Sequence, residues 1–431
     1  MLTEEQKAQA ALDFVPPDGG RRAWLAVAGG WLGQFCSFGF ISALGTFQYV
    51  YEKQILRSKT ASEISWILTV QIFLLFFLSQ PVGVGIDMFG PRPIVVAALI
   101  FSVGGLIALS YATEYYQIFL AQSLTFGLGA AGAFVPGLVL AGQYFKKRRA
   151  LALGVVASGA STGGVVFPTM LARLFDQIGF GPTLRYTSLF IGSLLAIACL
   201  IVSPAIPPKG LAGRRSLISL AGFKKPVYLV FVSAAFLFAW GLFIPFGYLP
   251  LFATSTPSTS KIGLYTVSIL NAASTLGRIF PNMLSDRVGS IKTITVMALL
   301  SGITVIVIWI PINYQKSLGG LIVFALAYGF TSGAFVSLLT PALIEVVGGP
   351  TSDLGAKIGT LFAIIAIAGL TGLPIQGAIE ASSKGGKTEK NVIGLIVFCG
   401  IAMLAGGVLL GLDWILIEKQ KRKSEDESSN H

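Results

Sequence analysis

One arginine sits where an arginine is expensive. Arg278 falls in Asn271-Ala-Ala-Ser-Thr-Leu-Gly-Arg-Ile-Phe-Pro281, within an apolar stretch long enough to cross a bilayer. A charged side chain at such depth costs at least about 2.5–3.5 kcal/mol, so it faces a cavity, braces another helix or snorkels to the interface. We read it as cavity-facing, because its planar fork of donors suits a carboxylate. Asn271, about two helical turns away, can share its face. Ser158 and Gln34 offer further polar groups from other apolar segments. The small residues around Ser158 (Gly154, Gly159, Ser161, Gly163, Gly164) read first as a close helix-packing face.

A second set of charges carries no obvious substrate chemistry but can hold surfaces together. Asp87 lies in Gly83-Val-Gly-Ile-Asp-Met-Phe-Gly90-Pro-Arg92, and Asp286 lies in Asn282-Met-Leu-Ser-Asp-Arg-Val-Gly289-Ser-Ile-Lys292. Each Asp is followed three residues later by a Gly and then by a cation, in a very short loop. A carboxylate placed so can meet a helix N-terminus or an arginine across a seam and act as a latch. Arg92 and Arg287 are the expected partners. Asp18 precedes Gly19-Gly20 and serves either as a helix N-cap or as a partner of the basic run Lys146-Lys147-Arg148-Arg149. That run reads as a topology anchor and part of the latch. Glu114, Glu345, Glu380 and Asp413 all lie near the ends of apolar segments, so a titrating carboxylate deep in the membrane is not evident.

The elements that must position these residues follow from composition. The chain has 431 residues, 54% hydrophobic and 12% charged, against about 25% charged in soluble domains. Apolar stretches bounded by charge, Pro or Gly run over 23–47, 63–84, 93–112, 116–141, 150–174, 184–206, 226–252, 262–284, 293–312, 318–341, 357–379 and 391–416. Spans need about 20 residues each, so about 12 helices fill the chain. The predicted fold class is an all-α polytopic membrane protein with two six-helix bundles. Its parts are an N-terminal segment 1–22, a first bundle 23–206, a linker 207–225, a second bundle 226–416 and a tail 417–431.

Placing both termini in the cytoplasm puts about 20 Lys and Arg inside and about 10 outside, the expected bias. The net charge of +12 is thus an orientation signal, with the basic tail able to rest on anionic lipid, and no nucleic acid partner is implied. Residues 1–20 are polar and do not read as a cleavable leader. The single histidine is His431, and the three cysteines fall in apolar segments without metal or disulfide spacing. No metal, cofactor or phosphate-binding loop is expected, which argues against an enzyme or an ATP-driven pump.

The half-repeat loops resemble the Gly-x-x-x-Asp-x-x-Gly-x-Arg pattern of the major facilitator superfamily. Two further signatures resemble its monocarboxylate porter family, especially the fungal members. They are Asp18-Gly-Gly-Arg-Arg-Ala-Trp24 and Tyr144-Phe-Lys-Lys-Arg-Arg-Ala-Leu-Ala-Leu-Gly154 continuing to Ser158-Gly159 and Gly163-Gly164. The resemblance covers essentially the whole chain. It implies alternating access around a substrate site between the halves, often with proton symport, and an arginine eight residues before Asp286, which is Arg278. It also implies a carboxylate at the position of Ser274 and a lysine near Ser42, which this chain lacks, so that Ser274 and Ser42 stand in their place as substrate-binding candidates, and it implies substrate contact at Phe335 and Ser337.

The expected function is therefore a secondary carrier of a small organic acid or related metabolite, with a proton as candidate co-substrate. It would work as a monomer, in the plasma membrane, among membrane lipids. The missing charges favour a larger or less charged cargo than lactate, so efflux of a secondary metabolite stands as the alternative. A transport-inactive sensor is a weaker one, since the tail is short.

Overall fold

The computed structural model describes residues 15–208, 210, 226–254, 265–315, 317–349, 354–382 and 393–429. Most of the expected linker and all of 1–14 lie outside the described residues. Lipid offers the backbone no hydrogen-bond partners, so a chain this apolar must satisfy its amides within helices. The first six helices are α1 (Arg21–Ile55), α2 (Glu63–Phe89), α3 (Pro91–Leu109), α4 (Tyr115–Tyr144), α5 (Arg149–Ile178) and α6 (Phe180–Ile201). The second six are α7 (Pro226–Leu249), α8 (Thr266–Val288), α9 (Ser290–Gln315), α10 (Leu318–Val346), α11 (Leu354–Ser382) and α12 (Ile393–Ser429). No strand occurs among the described residues.

Among the described residues, eleven of these helices are long and apolar enough to cross a membrane, and α8 is the exception. The reason is its inward face. Ser268, Asn271, Ser274, Arg278, Asn282 and Ser285 are all buried, whereas Leu276, Phe280, Met283 and Leu284 are each about half exposed on the outer face. The helix is apolar outside and polar inside, as a spanning helix beside a polar interior must be. Elsewhere large apolar side chains also face outward, such as Leu189, Leu200 and Val307, a belt that a bilayer covers.

Each half is a bundle. In the first, α1 packs on α4, α5 and α6, and α3 on α4 and α6; in the second, α7 packs on α12, α9 on α10 and α12, and α8 on α10. The bundles meet along two seams, α5 against α8 and α2 against α11. Small residues allow this approach. A side chain at Gly154 would run into the Arg278 carbonyl, and one at Gly83 into the Gly355 carbonyl.

The repeated loops close as their sequences suggest. Gly90 (φ 84°) joins α2 to α3 and Gly289 (φ 106°) joins α8 to α9, both in backbone conformations that other residues rarely adopt. Pro91 then starts α3, where its fixed φ is suited to the first turn. Among the described residues, four π-helical turns, at Phe35–Gly39, Tyr51–Ile55, Phe119–Phe126 and Val305–Trp309, widen α1, α4 and α9. Nothing in the sequence marked them.

Candidate functional site

Arg278 lies at the α5–α8 seam with 4% of its surface exposed. Its Nη1 donates to the Ala157 carbonyl of α5 at 2.7 Å and its Nε to Ser274 Oγ at 3.4 Å. No carboxylate among the described residues pairs with it. A guanidinium held by two neutral acceptors in a low-dielectric interior keeps most of its charge uncompensated.

It also lines a cavity between the halves with about 590 Å³ of space, counting the part at its mouth. The other polar groups on that wall are Gln34, Ser337 and Thr340. The rest is apolar and dominated by rings: Phe38, Phe76 and Phe134 from the first bundle, Phe243, Phe335 and Phe362 from the second.

Of the eight expected binding residues, Arg278, Gln34, Phe335 and Ser337 line the cavity. Gln34 donates Nε2 to the Phe134 carbonyl at 2.9 Å, and Phe335 stacks on Phe238 with ring centres 3.5 Å apart. Asn271 and Ser274 sit instead in the seam. Asn271 Nδ2 donates to the Val267 carbonyl at 3.0 Å and, across the halves, to that of Gly164 at 3.4 Å. Ser274 Oγ pairs with Ser161 Oγ of α5 at 3.0 Å.

The other two expectations differ from the geometry, because a serine hydroxyl on a helix can turn back to its own backbone. Ser42 Oγ donates to the Phe38 carbonyl at 3.1 Å, and Ser158 Oγ donates to that of Val155 at 2.7 Å while accepting Trp31 Nε1 at 3.2 Å. Neither lines the cavity.

Asp87 and Asp286 each meet the start of a helix from the opposite half. Asp286 accepts the backbone N–H groups of Ala150 (2.8 Å) and Leu151 (3.0 Å) at the start of α5, and Asp87 accepts that of Ala356 (3.1 Å) at the start of α11. The exposed amides and dipole of a helix N-terminus explain the preference. The arginines are placed otherwise than expected. Arg92 Nε donates to the Val202 carbonyl at the end of α6, within its own bundle (3.1 Å), and Arg287 is exposed. Arg149 Nε returns to the Phe145 carbonyl at 2.8 Å, although Arg148 and Arg149 both lie near enough to Asp286 to act on its charge.

Asp18 does not cap α1, whose N-cap is Gly20, and although it lies near enough to Arg149 to act on its charge, its hydrogen bonds come from backbone amides of the basic run. Its φ is +53°, and its carboxylate accepts the backbone N–H groups of Lys146 and Lys147, the latter at 2.6 Å. Its own N–H donates to the Tyr144 carbonyl at 3.0 Å, so the segment before α1 is tied to the α4–α5 loop. The exposed side chains of Lys147 and Arg148 take no part in that tie.

Among the remaining acidic residues, Glu345 accepts the amides of Ser290 (2.9 Å) and Ile291 (3.2 Å) at the start of α9. Asp413 is fully buried in α12, and neither of its oxygens has a hydrogen-bond partner among the described residues. The side chain of Glu380 lies outside the described residues.

Reasoning from residue types missed most of the ring wall and the Asn282 link, in which Nδ2 donates to the Arg278 carbonyl (2.7 Å) and to Ser337 Oγ. One signal was available for the rings. Phe134 is a single large side chain after the small run Gly127-Leu-Gly-Ala-Ala-Gly-Ala133 and two residues before Pro136.

This arrangement, a cavity between two pseudo-equivalent bundles latched at matched loops, agrees with the comparisons to known proteins. The solved structure of the proton:xylose symporter XylE superposes with a TM-score of 0.71 at 13% identity, covering 92% of this chain and 95% of that one. The human organic anion transporter MFSD10 gives 0.65 at 17% identity, covering 92% and 99%. Sequence relatives are nearer. The MFS-type transporter hasB of Aspergillus fumigatus is 41% identical over 420 residues, covering 95% of this chain and 92% of that protein. The fujikurins efflux protein of Gibberella fujikuroi is 36% identical over 422 residues, covering 97% and 88%. The agnestins efflux protein AgnL12 of Paecilomyces divaricatus is 37% identical over 390 residues, covering 90% and 86%. The profile of the Major Facilitator Superfamily itself matches residues 30–351. This multi-pass membrane protein is thus a transporter by descent as well as by architecture, and it belongs to the Major Facilitator Superfamily.

Proposed function

We propose that the protein exports a secondary metabolite that carries an acidic or strongly hydrogen-bond-accepting group. The observation that carries this reading is the uncompensated Arg278 guanidinium on the wall of a mostly apolar, ring-lined cavity between the halves. Relatives named as efflux proteins for fujikurins and agnestins support the direction of transport. In this reading Arg278 binds the acidic group, with Gln34, Ser337 and Phe335 beside it, and Asn271 and Ser274 hold the guanidinium's seam. Bundles 23–206 and 226–416 rock about the 207–225 linker. Asp87 and Asp286 latch the cytoplasmic face, both termini lie on that face, and the plasma membrane is the site of action.

The monocarboxylate porter signatures at Asp18–Trp24 and Tyr144–Gly154 favour a second reading, proton-linked uptake of a small monocarboxylate. The lining argues for the first, since a lactate-sized acid has little apolar surface to set against a wall of six phenylalanine rings. The test is thermal stabilisation of the purified protein across a metabolite panel, because a ligand that binds only the folded state raises the melting temperature. The best hit is then loaded into proteoliposomes of wild type and Arg278→Gln. Export requires wild-type flux that the variant loses. Stabilisation and flux by lactate alone would overturn the export reading.

A further inference from the structure

The cavity has two chemically different sides. From the α5–α8 side come Arg278, the Ala157 backbone and, on α10, Ser337. From the α2–α11 side come rings that touch one another across the two bundles. Phe76 is their hub. It lies 5.7 Å from Phe38, 5.5 Å from Phe134 at an interplanar angle of 88°, 6.4 Å from Phe243, and 5.8 Å from Phe362 at only 11°. Phe134 in turn meets Phe362 edge-on at 5.0 Å. Phe76, Phe134 and Phe362 are each at most 6% exposed, so they are sealed against one another in this closed arrangement.

A seal of this kind has a consequence for a carrier whose halves must part. When the bundles separate at this seam, Phe76 and Phe362 lose each other's faces, and their apolar surface meets water unless something replaces the contact. They are already nearly parallel. Two aromatic contact thicknesses of about 3.5 Å each fit between such faces when they stand about 7 Å apart. The two rings, with centres 5.8 Å apart and planes 11° from parallel, now form an offset stack, so parting the seam at constant tilt opens a parallel-walled slot that one flat group fills. A saturated, puckered skeleton is thicker and cannot match both faces.

We propose that the protein selects substrates with a flat aromatic or conjugated body, which inserts between Phe76 of the first bundle and Phe362 of the second while the acidic end lies on Arg278. This deepens the proposed function and rests on it. Phe76 and Phe362 then set specificity, and the substrate itself replaces the ring contact that would otherwise hold the α2–α11 seam shut.

The test uses two probes of matched skeleton and charge, 2-naphthoate and decahydro-2-naphthoate, titrated into the full-length protein in nanodiscs. The expected result is binding of naphthoate about tenfold tighter than of its saturated counterpart. Phe362→Leu, checked for folding by a wild-type melting temperature without ligand and by monodispersity, erases that preference, and Arg278→Gln weakens both probes. Equal binding of the two acids by wild type, still dependent on Arg278, overturns the inference and leaves the anchor intact. Preference that survives in both Phe362→Leu and Phe76→Leu also overturns it. Binding of neither probe, or binding indifferent to Arg278→Gln, overturns the anchor reading and the inference with it.

Discussion

Replacing Asp286 with Asn perturbs the link between the halves while changing few atoms. The carboxylate holds two backbone amides at the start of α5, at 2.8 and 3.0 Å. Hydrogen bonds to a charged group contribute about 1.5–3 kcal/mol each against about 0.5–1.5 for neutral ones, and the helix dipole adds about 0.3–1 kcal/mol. Asn keeps one acceptor oxygen and turns a donor toward the other amide. Because Asp286 is only half-buried, the low end applies, a loss of about 2 kcal/mol from the latched state. At 1.36 kcal/mol per decade, that moves the latched-to-unlatched ratio about thirtyfold. The assay is the labelling rate of Thr340→Cys, a cavity position, by an impermeant maleimide applied from the face that carries Asp286. The native Cys36, Cys199 and Cys399 are replaced first. Labelling is expected to rise about thirtyfold in the Asp286→Asn background. Asp87→Asn, at the other seam, adds its own factor multiplicatively, since the two contacts share no residues. A change below about threefold, in a variant that unfolds at the parent temperature, would refute the latch argument.

Arg278→Gln retains a donor but removes the charge, so affinity for an acidic substrate should fall about ten- to hundredfold in equilibrium binding, while a neutral ester of the same substrate is little affected. Gly154→Leu places a side chain against the Arg278 carbonyl and the Asn282 side chain. Transport should be lost with the protein still folded, read as expression and monodispersity without flux. Asp413→Leu removes a buried carboxyl whose oxygens have no partner among the described residues, and should raise the melting temperature where most buried polar-to-apolar changes lower it. Asp18→Ala frees the amides of Lys146 and Lys147 and should increase proteolysis of the α4–α5 loop, without altering substrate affinity.

Parts of this site were legible in the residues. Arg278 announced itself through the cost of a charge within an apolar segment, and the paired Asp-x-x-Gly loops marked matching positions in two halves. The same polarity that flagged α8 as functional also made it the one spanning helix whose hydropathy falls short. Ser42 and Ser158 misled because a hydroxyl's partner depends on its rotamer, and both turned to nearby helix carbonyls. The arginines after each Asp misled because a long side chain is free to serve its own bundle, as Arg92 does at Val202.

Hydropathy, charge bias and repeat spacing determined the class of molecule, its helices and its deepest charge, because a bilayer constrains every residue it touches in the same way. Which of 31 phenylalanines face one another across the cavity was decided only by tertiary structure. In an apolar helix a ring toward lipid and a ring toward a cavity have the same hydropathy. Their difference appears only when α2, α4, α7 and α11 are brought side by side.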